Sequence, residues 1–561
     1  MKKNILAILS CIVVAFAMTA CSLDRTPDDP NVYMEFNQDA VFSKVYSTLA
    51  MPGQTGPSGD SDIDGFDGGT SAFYRLIWEM NEFPSDEGWW IWGDPGVKEV
   101  RVMGWDASND LVEALYNRLF INITLANHFL DKTEKLTDEK TLTQRAEVRF
   151  IRALYYYYLL DMFGQVPFSE HVAAENPTTK TRAELFTWLE SELKDSESML
   201  ADNRLQLYRV DKAAAQLLLA RLYLNAEVYT GTARWNDAAE YAAKVMKSNY
   251  HLYTTPSDYT AQGGFKYSAY QKLFMGDNSS NGAQDEAILL IYQDGNYCQA
   301  YGGARFLVSA VRDANWVPSG STDSWSCFRT SPEMVETFVD LTTAATLKDH
   351  EYNLPSLIGD DRAIFCSYYQ YGMTFDSTLM DSVPAVHEWN LNGKKEAEMY
   401  DCWGGCKWTG IHSTAISPNA YEGQSPDWPD TDIPFLRVAE AYLTYAEAVY
   451  RGATAVNGTA EAAIQALRDR AHNTDPFVID DDFLLDEWGR EFWFEGRRRI
   501  DLVRFGQFAG EGVTRNWEGR GGKNSGDAPK KLDAKFNFYP LPLSDVTANP
   551  NLAGINEANG Y

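Results

Sequence analysis

Ala213-Ala-Ala-Gln-Leu217-Leu-Leu-Ala220-Arg-Leu-Tyr-Leu224-Asn-Ala-Glu-Val-Tyr229 is followed, past Gly231, by Trp235-Asn-Asp-Ala238-Ala239-Glu-Tyr-Ala242-Ala-Lys-Val245-Met246. Leu217, Ala220 and Leu224 recur at helical spacing in the first run. Ala238, Ala239, Ala242 and Val245 do so in the second. Small residues let two helices approach closely, and larger ones fill the groove between them. This is the helix–turn–helix logic of tetratricopeptide repeats. Phe435–Tyr450, with Arg437, Ala441, Leu443, Ala446 and Ala448, pairs with 460–471 in the same manner. The expected fold is therefore mainly α, an irregular tetratricopeptide-like scaffold split along the chain.

Outward from that pair, Leu111–Leu130 is periodic and apolar. Thr143–Phe163 carries Ala146, Phe150, Ala153, Leu154 and Tyr157 at helical spacing. Its four tyrosines, Tyr155 to Tyr158, go all round the helix, so both sides must be covered. Gly164 and Pro167 end it. Thr181-Arg-Ala-Glu184 is a capping box that starts another helix. Asp486–Phe508 mixes aromatics with charges (Arg490, Glu491, Glu495, Arg497, Arg498, Arg499) and is expected to be a buried, ion-paired helix packed on the repeats.

Two stretches lack sustained helical period. Residues 41–110 are rich in Gly, Asp and aromatics. Residues 251–430 hold Gly276 to Gly282, Tyr301-Gly302-Gly303, Trp316 and Trp325. Loops carried on a rigid scaffold are where binding residues concentrate, so these two stretches are expected to form one ligand face, with 111–250 and 431–508 as helices and 509–561 as a closing loop segment. Gly88-Trp89-Trp90-Ile91-Trp92-Gly93 stands out in the first. In an extended segment Trp90 and Trp92 share one side while Trp89 and Ile91 share the other. Alternation alone does not say which pair faces a ligand.

The chain has 561 residues and a formal charge of -30. That excludes nucleic acid, whose phosphates need clustered Lys and Arg. It also excludes an electrostatic grip on anionic lipid. Aromatics make up 13%, more than a core alone calls for, and suit a neutral ring-shaped ligand such as a sugar. Lys2, Lys3, the apolar run Ile5–Ala17 and Met18-Thr19-Ala20-Cys21 resemble a bacterial lipoprotein signal over 1–20. Cys21 would be lipidated and 21–40 would form a tether. No other apolar run reaches membrane-spanning length, so the expectation is anchoring by acyl chains. Five cysteines remain, Cys298, Cys327, Cys366, Cys402 and Cys406, an odd number. Asp60-Ser-Asp62-Ile-Asp64-Gly65 opens like a calcium loop, but its twelfth position is Ser71 and not Glu, so an acidic turn is expected. The seven histidines are scattered.

Several segments together resemble the SusD/RagB family of Bacteroidota outer-membrane lipoproteins: Arg145-Ala-Glu-Val-Arg149-Phe-Ile-Arg-Ala-Leu154, Phe163-Gly164 to Pro167, Arg437-Val-Ala-Glu-Ala-Tyr442-Leu, Glu491 to Gly506 and Pro540-Leu-Pro542. The likeness covers essentially the whole mature chain. It is greatest to the family's starch-binding member and reaches the loops at Asp64-Gly65 to Arg75, Gln293-Asp294-Gly295 and Trp325-Ser326-Cys327. It implies a tetratricopeptide-like scaffold, surface lipid anchoring, and a partner, a SusC-like TonB-dependent barrel. It also implies that glycan is bound and not cleaved. For starch or malto-oligosaccharide, the resemblance implies an aromatic arc of Trp90, Trp92, Tyr301 and Trp325, with polar contacts from Asp67 and Arg75. An asparagine contact of that member falls here at Gly93-Asp94-Pro95, most directly at Pro95, so its hydrogen bond is either lost or passed to Asp94. The same likeness implies a structural calcium at Asp430 and Asp432, with a third ligand near Asp277 and Asn278. By the resemblance, Trp90 and Trp92 face the sugar and Trp89 the scaffold. Two rivals remain: a glycoside hydrolase, which needs paired carboxylates, and a repeat scaffold that only recruits proteins. The sugar itself cannot be read from spacing, because stacking tolerates many rings.

Overall fold

The structure, a computed structural model, describes residues 35–53, 61–257, 267–311, 319–323, 325, 327–340, 358–366, 404–414, 427–517 and 531–561. Cys21, the signal segment, Asp60, Trp316, Ser326 and Cys402 lie outside the described residues. The chain forms two compact units, Met1–Val41 and Phe42–Tyr561. The helical row and the groove described below lie in the second.

Seven helices pack in one continuous row. They are α1 (Asp110–Lys132), α2 (Glu139–Met162), α3 (Arg182–Met199), α4 (Lys212–Leu224), α5 (Trp235–Met246), α6 (Ala439–Tyr450) and α7 (Ala460–Arg470), each against the one before. The step from α5 to α6 joins the halves that the sequence separates, giving a tetratricopeptide-like array. Local chemistry sets the ends. Asn109 accepts hydrogen bonds from the Leu111 and Val112 amides at the start of α1. Thr181 and Glu184 close the expected capping box on α3. The four tyrosines of α2 are all buried, covered on both sides as their spacing required.

Three expectations need correction. The stretch 213–229 breaks at Asn225, with α4 ending at Leu224 and a short helix at Ala226–Thr230. Phe435 to Arg437 is not helical. Ile433–Arg437 is a strand, antiparallel to Ala287–Ile291, and the helix begins only at Ala439. Residues 41–110, expected to be loop-rich, hold helices at Gln38–Ala50, Phe73–Glu82 and Val97–Arg101. Phe73–Glu82 buries nine of its ten residues, the carboxylates of its polar stripe, Glu79 and Glu82, included.

The segment 486–508 is also not one helix. Asp481–Phe492 and Arg498–Arg504 meet at an elbow where Phe494 and Gly496 take positive φ of 58° and 76°. A Cβ at Gly496 would stand 3.1 Å from the Trp78 backbone, so both the angle and the space call for glycine. Carboxylates from the N-terminal part hold the elbow. Glu82 accepts from the Gly496 and Arg497 amides, and Glu87 from the Phe494 amide. Trp78 and Trp408 both donate to the Phe494 carbonyl.

The expected ion pairing is present and deep. Arg437 pairs with Glu491 at 2.6 Å and Glu495 at 2.8 Å, Arg362 with Glu487 at 2.7 Å, and Arg498 with Asp86 at 2.6 Å. Burial alone would raise the Glu491 carboxyl. Arg470, Arg437 and Arg362 outweigh it and hold it down at about 2. Asp62 of the acidic turn faces Lys44 at 3.3 Å and Arg118 at 3.5 Å, an anchoring role. Among the described residues no helix is long and apolar enough to cross a membrane.

Candidate functional site

Separate stretches of chain converge on one groove. At its first wall, Asp67 Oδ1 accepts from the Gly69 and Thr70 amides at 2.8 and 3.0 Å, a side-chain-closed turn that leads into the helix carrying Arg75. Burial opposes ionisation of Asp67, but the Thr70 hydrogen bonds and the Arg75 charge prevail and keep its carboxyl below the usual range. The Tyr301 turn packs against this wall. A Cβ at Gly302 would fall 2.1 Å from Ala72 Cβ and 2.8 Å from the Gly69 carbonyl. Any side chain there would drive the two walls apart.

The strand Gly88–Trp90 forms the second wall. It runs antiparallel to Phe328–Thr330, with Trp90 opposite Phe328. One residue further, the Ile91 amide donates to the Cys327 carbonyl at 2.8 Å. This register carries Trp92 beside Trp325, ring centroids 6.4 Å apart and planes 33° from parallel. Trp325 lies 6.2 Å from Tyr301 at 39°. The three rings thus form a tilted row, and Trp92 is 42% exposed.

Asp67, Arg75, Trp90, Trp92, Asp94, Tyr301 and Trp325, the residues expected from the sequence, all line this groove, with Thr70 in addition; its volume is about 230 Å³. Trp90 does not share the position of Trp92, however. It is 1% exposed and wedged between Phe83 at 5.0 Å and Phe306 at 6.0 Å. Its Nε1–H donates to Asp94 Oδ2 at 2.8 Å. Trp90 is the floor of the groove and offers it an edge. The assignment of Trp90 to the open stacking face is therefore corrected, because packing from Phe83 and Phe306 covers a ring that alternation alone left open. Trp89 is buried under the Arg101 guanidinium, 4.6 Å from its ring centroid. Asp94 is thereby engaged by Trp90.

Arg75 lies over Phe306 at 4.7 Å and pairs with Glu79 at 2.7 Å. Burial raises Glu79 to about 7 against the pull of Arg75, with Asp94 and Asp67 adding to the rise. Three residues at this site were not anticipated. Asp323 accepts from Trp325 Nε1 at 2.7 Å and pairs with Arg305 at 2.7 Å. Arg305 in turn lies over Trp428, 4.1 Å from its centroid. The available signals were weak: Arg305 follows the Tyr301-Gly-Gly turn, and Trp428 precedes the Pro429-Asp430 turn.

The expected metal ligands do not form one cluster. Asp432 is buried, accepting from the Gln293 amide at 2.6 Å and from the Tyr208 hydroxyl at 2.9 Å. Burial raises it to about 7, with a contribution from the Asp430 charge. Asp430 accepts from the Gly295 amide at 2.7 Å. Asp277 instead accepts from Asn281, the Ser413 amide and the Ser413 hydroxyl. Among the described residues no three His, Cys, Asp or Glu side chains come together as a metal-holding group. Two carboxylates on one tight turn remain a donor set of the hard-oxygen kind that calcium prefers. Cys298 and Cys327 are buried thiols. Burial lifts Cys298 to about 12 and pushes Cys327 up as well.

A model described as the SusD family matches residues 274–561. The chain belongs to the SusD family. A second family model, described as starch-binding and associating with the outer membrane, matches residues 92–224. Among family relatives, the chain is 37% identical to the starch-binding protein SusD of Bacteroides thetaiotaomicron, over 98% of each. It is 25% identical to SusD-like protein P2 of Formosa agariphila over 34% of this chain and 40% of that one. Solved SusD-like structures share the fold. A SusD-like carbohydrate-binding protein of Bacteroides fragilis superposes with a TM-score of 0.65 at 18% identity, covering 92% of this chain and 98% of that one. Surface glycan-binding protein A of Bacteroides thetaiotaomicron, in complex with laminarihexaose, gives 0.61 at 15%, covering 91% and 97%.

Proposed function

We propose that this SusD-family protein binds starch-like α-glucan without cleaving it. The observation that carries the proposal is the tilted row Trp92–Trp325–Tyr301 facing Asp67 and Arg75 across one groove. Aromatic faces take the apolar C–H faces of sugars, and flanking polar groups take hydroxyls. Successive tilts of 33° and 39° suit a curved chain better than a flat one. Starch is favoured over other glycans by the 37% identity to a starch-binding relative.

Binding without cleavage is supported by how the groove's acids are used. Asp67 closes its own turn, Asp94 holds Trp90, and Glu79 sits behind Arg75. Each is thus already held by a neighbouring group, where glycoside hydrolysis needs two carboxylates set to act on the sugar. We further propose that the protein works at the outer-membrane surface, lipid-anchored through Cys21, and hands glucan to a SusC-like TonB-dependent barrel. The lipoprotein-like N-terminus and the outer-membrane association named for its family support this. A structural calcium at Asp430 and Asp432 belongs to the same proposal. It would screen the repulsion between the two carboxylates, and chelation should then lower the melting temperature.

Native affinity electrophoresis in gels containing amylopectin tests the central claim. The protein should be retarded, and laminarin or xyloglucan gels should retard it less. Migration unaffected by amylopectin, with an intact fold, overturns the starch assignment. Release of reducing sugar from starch by the pure protein overturns the non-catalytic one.

A further inference from the structure

The aromatic row does not stop at the groove. Trp428 lies beyond Tyr301, ring centroids 5.0 Å apart and planes 57° from parallel. It is only half-buried, unlike Trp408, Trp488 and Trp493, which are fully packed into the core. Its segment is fixed by backbone contacts. Asp430 accepts from the Gly295 amide at 2.7 Å. The Thr431 hydroxyl donates to the Thr409 carbonyl at 2.6 Å, and the Asp432 amide donates to Asn278 Oδ1 at 3.1 Å. The ring therefore sits on an immobilised turn next to the loop that carries Tyr301.

Arg305 and Asp323 explain how the row is kept together. The Arg305 guanidinium lies 4.1 Å from the Trp428 centroid and 5.0 Å from that of Tyr301. Its charge is met by Asp323 at 2.7 Å, and the same carboxylate oxygen accepts from Trp325 Nε1 at 2.7 Å. One ion pair thus ties Tyr301, Trp325 and Trp428 into a unit. A cation over an aromatic ring uses one face and leaves the other for a ligand.

We propose that Trp428 is a further glycan-binding residue, forming an outer subsite that engages only α-glucans long enough to run past Tyr301. Resting on the binding function proposed above, it adds that affinity rises with chain length because of this one ring. A short oligosaccharide held by Trp92, Trp325 and Tyr301 does not reach it. A ring that merely propped Tyr301 from behind would matter equally to every ligand.

Calorimetric titration with maltotriose and maltoheptaose separates these cases. Native protein should bind both. Trp428→Ala should weaken maltoheptaose about fivefold and leave maltotriose unchanged. Trp428→Tyr, which keeps a ring, should recover part of the loss and serves if the alanine variant fails to fold. Equal weakening of both sugars, or no weakening of either, overturns the subsite. Native protein that binds neither sugar instead overturns the function on which the subsite rests, so the two failures are distinguishable.

Discussion

The groove and the elbow between Asp481–Phe492 and Arg498–Arg504 are built from the same residue types, tryptophan, phenylalanine, arginine and carboxylates, yet they do opposite things. At the elbow the rings of Trp488, Trp493 and Phe494 are fully buried, and Arg437, Arg362 and Arg498 each have a buried carboxylate. In the groove, charges pair behind the rings and leave faces open. Arg305 with Asp323 backs the aromatic row, and Arg75 with Glu79 lies at its base. What separates a structural cluster from a binding cluster is thus where the charges are neutralised: between the rings, which closes them off, or behind them, which presents them.

That contrast can be broken most forcefully at the elbow. Glu491→Ala would leave Arg437 and Arg470 buried with one fewer counter-charge, at a cost of about 3–5 kcal/mol. Urea denaturation should show this, and a loss below about 1 kcal/mol would mean that the elbow is no more structural than the groove. Next comes Trp89→Ala, which empties a buried site under Arg101. It should cost about 3 kcal/mol while glucan affinity of the folded fraction stays nearly unchanged. Trp325→Ala should do the reverse. Affinity for maltoheptaose should fall about tenfold, and the melting temperature should move little because the ring is only partly covered. A variant that loses stability but not affinity would place Trp325 with the elbow residues.

The smallest effect expected is one of pH. Glu79 has its folded pKa raised to about 7, above the value near 4.3 of an unfolded glutamate. Between these values the folded state holds more proton than the unfolded one. Its contribution to stability is therefore full below about pH 4.3 and is lost as pH rises through 7. Glu79→Gln should flatten that part of the melting-temperature profile. An unchanged slope would show that the pair beneath the groove does not titrate there.

The helical row was legible in the sequence because its helices carry apolar stripes of their own and five of the seven carry their own N-caps. Thr181 to Glu184 and the alanine faces of 213–246 need nothing from elsewhere in the chain. The groove residues were legible as a set, chiefly through the family resemblance. What escaped was the rank among them. Trp90 and Trp92 sit two apart on one extended segment, and only Phe83 and Phe306, distant in sequence, decide that Trp90 is covered and Trp92 is not. Arg305, Asp323 and Trp428 escaped for the same reason: they have meaning only through partners brought in by the fold. Phe435 to Arg437 reads as the start of a helix, although it ends a strand, because a buried apolar run this short carries no period.

The groove is lined by residues from 67–75 and 90–94 and, far along the chain, by Tyr301 and Trp325. No single stretch completes it. Contacts between such remote residues cost loop entropy and are made late in folding. Glucan binding is therefore a proofreading signal for the whole chain. A truncated or half-folded copy can own a sound run of helices and still be blind to sugar, so a starch column would sort finished molecules from unfinished ones.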